Sequence, residues 1–117
     1  MNPLLKIGAL YELQDYNILS RADILEAVAQ EYELTTTDLI DNKSRTPEYV
    51  IPRHIYAYLC RDMTNFKLVK IGDYINKNHT TIVHSVKIMH DYMRLDKIIK
   101  KRVSNIKIKL KLKECTA

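Results

Sequence analysis

A chain of 117 residues with a formal net charge of +5 is one domain's worth of polypeptide, long enough to bury a modest core. Two glycines and three prolines leave little for a turn-rich β architecture, no apolar run approaches the roughly 18–20 residues of a membrane span, and Met1-Asn2-Pro3-Leu4 lacks the charged start and cleavage site of a secretory signal. Cys60 and Cys115 stand outside any CxxC or Cys/His cluster, which fits a reducing cytoplasm and argues against a zinc site.

Residues 4–19 are apolar-periodic and predict a first helix. Ser20 with Asp23 has the form of a capping box, and Ile24, Leu25, Val28, Ala29 and Tyr32 then predict a helix over 21–33. Thr35-Thr36-Thr37-Asp38 offers a cap for a short helical turn through Leu39-Ile40. Asp41 to Ile51, with Lys43-Ser44-Arg45 and Pro47, shows no helical period and is expected to be a loop. Pro52 suits the first turn of the next helix, where its missing N–H costs nothing. Ile55, Tyr58, Leu59 and Met63 carry that helix to about Thr64-Asn65.

A short helix is expected over 67–75, then a polar turn Asn76-Lys77-Asn78, with Asn78 as N-cap of a long helix from His79 to about Met93. Helix, three-residue turn, helix is the grammar of a helix-turn-helix. The tail reads two ways. Asn105 to Lys113 alternates like a strand, yet Ile99, Val103, Ile106 and Leu110 share one helical face. A helix from Lys97 to about Leu110 with a frayed end is expected. No repeat is visible, and the sum is a small all-α domain. Its expected parts are an N-terminal helical extension (1–20), the helix-turn-helix unit (21–95) and a basic C-terminal helix or tail (96–117).

Charge is spread unevenly. Residues 1–41 hold two Lys/Arg against eight carboxylates, 42–95 nine against four, and 96–117 eight against two. An acidic end joined to a basic remainder is the footprint of a polyanion binder, although a solvated face gives the same pattern. His79, Thr80 and Thr81 open the long helix, where free backbone N–H groups attract anions and a recognition helix reads base edges. Capping or packing is the plainer reading for Thr81, and packing, or a place near the backbone, for His84. Tyr56, Tyr58 and Tyr92 fall at helical spacing and are expected to pack rather than stack on bases. The Lys-rich tail admits a second phosphate clamp, a dimer strand or a solvated face. His54, His79, His84 and His90 form no HExxH, and no Ser or Cys nucleophile has a motif partner. No enzyme, cofactor or metal is therefore expected.

Ile71-Gly72 followed by His79-Thr80-Thr81-Ile82-Val83-His84-Ser85 resembles the C-terminal DNA-binding domain (domain IV) of the bacterial replication initiator DnaA. The hallmark of that family is Ile-Gly, a Gly-Gly-Arg-Asp turn, then His-Thr-Thr-Val and His-Ala. Leu25-Glu26-Ala27-Val28-Ala29 with Tyr32 and Asp38-Leu39 is similar to its first core helix. Pro52-Arg53-His54-Ile55 with Tyr58 to Thr64 is similar to its Pro-Arg-Gln helix. The likeness covers roughly residues 21–95.

The resemblance implies a Trp-repressor-like helix-turn-helix that binds duplex DNA. It places the minor-groove contact on Arg45 and major-groove reading on Lys77, Asn78, His79 and Thr80, with Thr81 beside them. Arg61 falls near the DNA, Leu68 beside thymine methyls, and Lys43 and Lys87 are expected on phosphates. The turn departs from the family: Asn76-Lys77-Asn78 is one residue shorter and glycine-free. Lys77 replaces the forked Arg, and Asn78 replaces Asp with an amide able to pair bidentately with adenine. Neither Gly8 nor Gly72 begins a GxxxxGK[ST] loop, so a free-standing relative without the nucleotide-binding module is expected.

The expected partners are double-stranded DNA and, through shared sites, the replication initiator or other replication proteins. No membrane and no nucleotide are expected, and the location is cytoplasmic on the nucleoid. The rival reading is a protein-interaction module with residual DNA affinity.

Overall fold

Ser20 opens the first described helix by closing both halves of a capping box. Its Oγ accepts from Asp23 N at 3.0 Å, and its own N–H donates to Asp23 Oδ2 at 2.9 Å. The computed structural model describes residues 19–116, so of the helix expected over 4–19 all but Leu19 lies outside the described residues. Those residues form only helices: α1 (Arg21–Glu31), α2 (Thr36–Asp41), α3 (Pro47–Met63), α4 (Leu68–Tyr74), α5 (His79–Leu95) and α6 (Lys97–Thr116). Thr35 repeats the capping box for α2, exchanging bonds of 3.1 and 3.0 Å with Asp38. Between α1 and α2, Glu33 turns the chain with φ 57, and Leu34 N returns to Ala29 O at 2.8 Å.

One boundary differs from the expectation. Pro47, not Pro52, opens α3, so Pro47 and Glu48 belong to the first helical turn and only residues 42–46 remain as loop. Thr46 O accepts from the amides of Tyr49 and Val50 in the first turn, both at 3.0 Å. Pro52 sits inside the helix and cannot donate to the Glu48 carbonyl. Its ring is buried, and Glu48 is exposed, so packing offsets the missing bond.

α3 is the central post of the fold. Ile55, Tyr56, Ala57, Leu59 and Cys60 are fully buried, and they meet Leu25 and Val28 of α1, Ile71 of α4 and Ile82 and Met89 of α5 in one core. Each fully buried aliphatic side chain contributes about 1.5–3 kcal/mol. The buried Tyr56 hydroxyl donates to Ile71 O at 2.7 Å, tying α4 to α3. Tyr58 and Tyr92 pack half-buried against the same core. Burial pushes the Cys60 thiol up to about 12, which leaves it inert.

The tail is one continuous helix running past Leu110 to Thr116, so neither a strand nor a frayed end follows. Asp96 caps it by accepting from Ile98 N and Ile99 N, each at 3.0 Å. Ile99, Val103, Ile106 and Leu110 bury into the common core. Ion pairs clamp the edges: Lys113 to Asp23 at 2.7 Å and Lys107 to Asp62 at 3.0 Å. Arg102 donates to Glu31 O at 2.9 Å and lies over the Tyr32 ring. The Lys113 bond, with the Ser20 amide, holds the Asp23 carboxyl below its ordinary range. Exposed pairs of this kind are worth about 0–1 kcal/mol each, so the apolar stripe does most of the docking.

Candidate nucleic-acid interface

The turn between α4 and α5 is closed by backbone. Ile75 N and Lys77 N both donate to Gly72 O, at 3.0 and 2.9 Å, and Asn76 takes φ 59. A Cβ on Gly72 would stand 2.3 Å from Lys77 O and 3.2 Å from Ile82 Cγ1. Only glycine allows α4 and the turn to approach so closely.

Asn78 then caps α5. Its Oδ1 accepts from Thr81 N at 2.9 Å and from Thr81 Oγ1 at 3.2 Å. Both lone pairs of that oxygen are thereby engaged. The bidentate pairing with adenine expected for Asn78 needs the same oxygen as an acceptor, so the cap leaves only the Nδ2 donor to reach a base. Thr81 serves the cap and stays exposed.

Beyond the cap, α5 sorts its residues by helical period. Ile82, Ser85 and Met89 are buried, while Thr80, His84 and Lys87 share the opposite, exposed stripe. His84 therefore does not pack as expected; it stands in solvent one turn beyond Thr80.

Arg53 organises the second half of the surface. Only 8% exposed, it donates from Nε to Leu39 O at 2.9 Å, from Nη1 to Ser44 O at 2.9 Å, and from Nη2 to Asn42 O. Three donors of one rigid fork thus hold one carbonyl of α2 and two of the loop that joins it to α3. Local turns finish the loop: Ser44 N donates to Asn42 Oδ1 at 2.8 Å, and Ser44 and Thr46 hydroxyls meet at 3.1 Å. Lys43 and Arg45 are exposed on this braced loop.

Loop and turn face each other across a cleft of about 390 Å³. Lys43 and Arg45 line one wall, Lys77 and Thr81 the other, and Arg53, His54 and Ser85 lie between them. His54 Nδ1 and Ser85 Oγ hydrogen-bond at 2.8 Å, pinning α3 to α5 beneath the cleft. Burial, with His84 and Arg53 nearby, holds the His54 imidazole below its ordinary pKa, favouring the neutral ring.

The fold thus brings Lys43, Arg45, Lys77 and Thr81 together, with Asn78, His79 and Thr80 exposed beside them at the start of α5. Lys87 is exposed along the same helix. Arg61, exposed in the last turn of α3, and Leu68, half-buried at the start of α4 against the core, do not line the cleft. Sequence reasoning gave no role to Arg53 or to the His54–Ser85 pair. The signal for Arg53 was a charge on the same helical face as Tyr56 and Cys60.

Residues 22–88, from α1 into α5 and including both walls of the cleft, match the family model described as bacterial dnaA protein helix-turn-helix. The chain belongs to this family. It is 34% identical over 97 residues to the chromosomal replication initiator protein DnaA of Oenococcus oeni, covering 82% of this chain and 21% of that protein. Against the DnaA of Enterococcus faecalis the identity is 39% over 102 residues, 86% of this chain and 23% of the relative. Against DnaA 2 of Protochlamydia amoebophila it is 31% over 87 residues, 74% and 19%. The chain therefore spans about a fifth of the length of the relatives it matches. All ten residues expected on DNA, the eight taken from the resemblance and Lys43 and Lys87 beside them, fall inside the matched span.

Proposed function

We propose that this chain binds double-stranded DNA with sequence selectivity, at a site similar to the box recognised by DnaA. One observation carries the reading: a rigid basic loop and the start of a helix-turn-helix second helix face the same cleft, with Arg45 on one wall and Lys77 on the other. In this reading α5 enters the major groove, where Lys77, Asn78 Nδ2, His79 and Thr80 meet base edges. Arg45 reaches the neighbouring minor groove. Lys43, Arg61 and Lys87 meet phosphates, which supply most of the affinity and fix the register without reading sequence. Leu68 contributes apolar contact near thymine methyls. Through shared sites the protein acts on replication initiation or on transcription, and it resides on the nucleoid.

The rival interaction-module reading relies on the acidic first segment or the basic tail meeting a partner. Asp23 and Glu31 instead engage Lys113 and Arg102 within the chain, which favours the DNA reading. Fluorescence anisotropy with a DnaA-box duplex, a randomised duplex pool and a single strand, each at two salt concentrations, tests it. Enrichment of one short duplex motif that survives the higher salt is expected. Equal, weak binding to all three that vanishes with salt would refute it.

A further inference from the structure

The alternation of Asn105–Lys113 has a structural origin: α6 carries two apolar stripes. The first, Ile99, Val103, Ile106 and Leu110, is buried. The second faces outward, with Ile98, Ile108 and Leu112 exposed by 73, 60 and 63%. Ile98, Lys101, Asn105, Ile108 and Leu112 recur at intervals of three, four, three and four residues. That spacing is the seam of a helix that pairs with another helix. Charge is sorted the same way. The cations turned inward hold partners within the chain, Lys107 on Asp62, Lys113 on Asp23 and Arg102 on Glu31. Lys97, Lys101, Lys109 and Lys111 are exposed in or beside the outer stripe and form no ion pair among the described residues. The carboxylate of α6, Glu114, falls on the opposite side by helical period.

We propose that this outer face docks an amphipathic helix of a partner protein, one whose apolar stripe is flanked by carboxylates. Charge complementarity selects that occupant. The face sets lysines around its apolar side chains, and exposed Glu26 of α1 is the carboxylate at its border. An acidic helix meets those lysines with Asp or Glu at its flanking positions, as flanking charges do in paired helices. Its apolar stripe then covers Ile98, Ile108 and Leu112. Shape agrees: Ile98, Lys101 and Asn105 line a groove of about 500 Å³ with Glu31 and Arg102, which gives a partner's side chains room to enter. Other occupants fit less well. A second copy of α6 brings lysine against lysine along the seam. A nucleic-acid backbone matches the lysines but leaves the exposed isoleucines and leucine without a counterpart. An anionic bilayer takes a continuous apolar face, and Lys101 and Asn105 divide this one. No residue of α6 lines the cleft, so docking here is independent of the DNA reading.

Selection from a displayed library of three-heptad helices, with the full chain as bait, tests the assignment. The library fixes leucine or isoleucine at the seam and varies Glu, Lys, Gln and Ser at the flanking positions. The wild type should enrich Glu at the flanks, and a Lys101→Glu/Lys109→Glu variant should enrich Lys there instead. Ile108→Asp/Leu112→Asp should weaken the selected acidic peptide at least about tenfold in Kd, with an unchanged circular dichroism melt. If that variant melts early, the charge-reversal pair decides the matter. An empty selection, or flanks enriched without regard to charge, would overturn the proposal. So would tighter binding to phosphatidylglycerol vesicles than to the selected peptide, because the face would then belong to a bilayer. A sedimenting dimer that the Ile108→Asp/Leu112→Asp variant dissociates would overturn it in favour of a second copy. None of these outcomes involves DNA, so they leave the functional reading to its own test.

Discussion

Arg53 is the residue whose removal tests the interface most sharply, because it lies nearly buried at the cleft and holds the loop that forms one of its walls. Replacing it with Met keeps length and apolar stem but removes all three donors to Leu39 O, Asn42 O and Ser44 O. The buried Leu39 carbonyl loses a charge-assisted bond of about 1.5–3 kcal/mol, while the half-buried Asn42 and Ser44 carbonyls regain water and add less. The expected loss of stability is therefore about 2–4 kcal/mol, read by urea denaturation. Binding should fall too, through Arg45. If Arg45 reads the minor groove, Arg45→Ala costs about 1–3 kcal/mol on the preferred duplex, roughly five- to 150-fold in Kd. With Arg53→Met the loop no longer holds Arg45 in place, so adding Arg45→Ala should cost little more. A double-mutant cycle by anisotropy, below the unfolding range, measures that coupling. Additive losses would refute the idea that Arg53 acts by positioning Arg45.

Further outcomes follow from other contacts. Gly72→Ala drives a Cβ to 2.3 Å from Lys77 O; it should lower stability by about 1–3 kcal/mol in thermal melts and weaken selective binding with it. Asn78→Ala removes the α5 cap and should cost about 1 kcal/mol of stability. Asn78→Asp keeps the acceptor for Thr81 but not the Nδ2 donor, so it should alter duplex preference without that loss. His79→Ala should weaken the preferred duplex by about 1–3 kcal/mol, while Lys87→Ala should weaken all duplexes alike; equal losses on specific and random DNA for His79→Ala would remove its reading role. His54 gives a pH dependence. Its folded pKa lies below its ordinary 6.5, so between the two values the unfolded chain binds more protons. Stability is then full above about 6.5 and falls as pH drops towards the folded value. His54→Gln should flatten that slope in denaturation curves taken between pH 5 and 8.

Much of the fold was legible because local signals agreed with the final packing. The Ser20 capping box, the Thr35 and Asn78 caps and the buried stripe of α1, Ile24, Leu25, Val28 and Ala29, all follow from short-range spacing. The start of α3 was not, because Pro47 and Pro52 are both acceptable first-turn prolines, and only the burial of the Pro52 ring selects the longer helix. The tail was ambiguous because two helical stripes interleave into apparent alternation, Ile106 and Leu110 inward, Ile108 and Leu112 outward. The exposed residues proposed to read DNA were picked out by resemblance. Their support was not, since Arg53 works on carbonyls 9 to 14 residues away, which side-chain identities alone do not announce. The cap's hold on the Asn78 oxygen was equally invisible, because it depends on where Thr81 points.

The docking of α6 onto α1 sets the order in which the chain can reach its native state. Arg102 reaches Glu31 across 71 residues, and Asn105 reaches it across 74. During synthesis Ile24, Leu25 and Val28 emerge long before the helix that covers part of their face. Closing so wide a loop late is entropically costly, and contacts of such separation slow folding. A nascent chain of this protein therefore carries an uncovered apolar α1 until Leu110 has left the ribosome, which makes that interval the window for chaperone capture or aggregation.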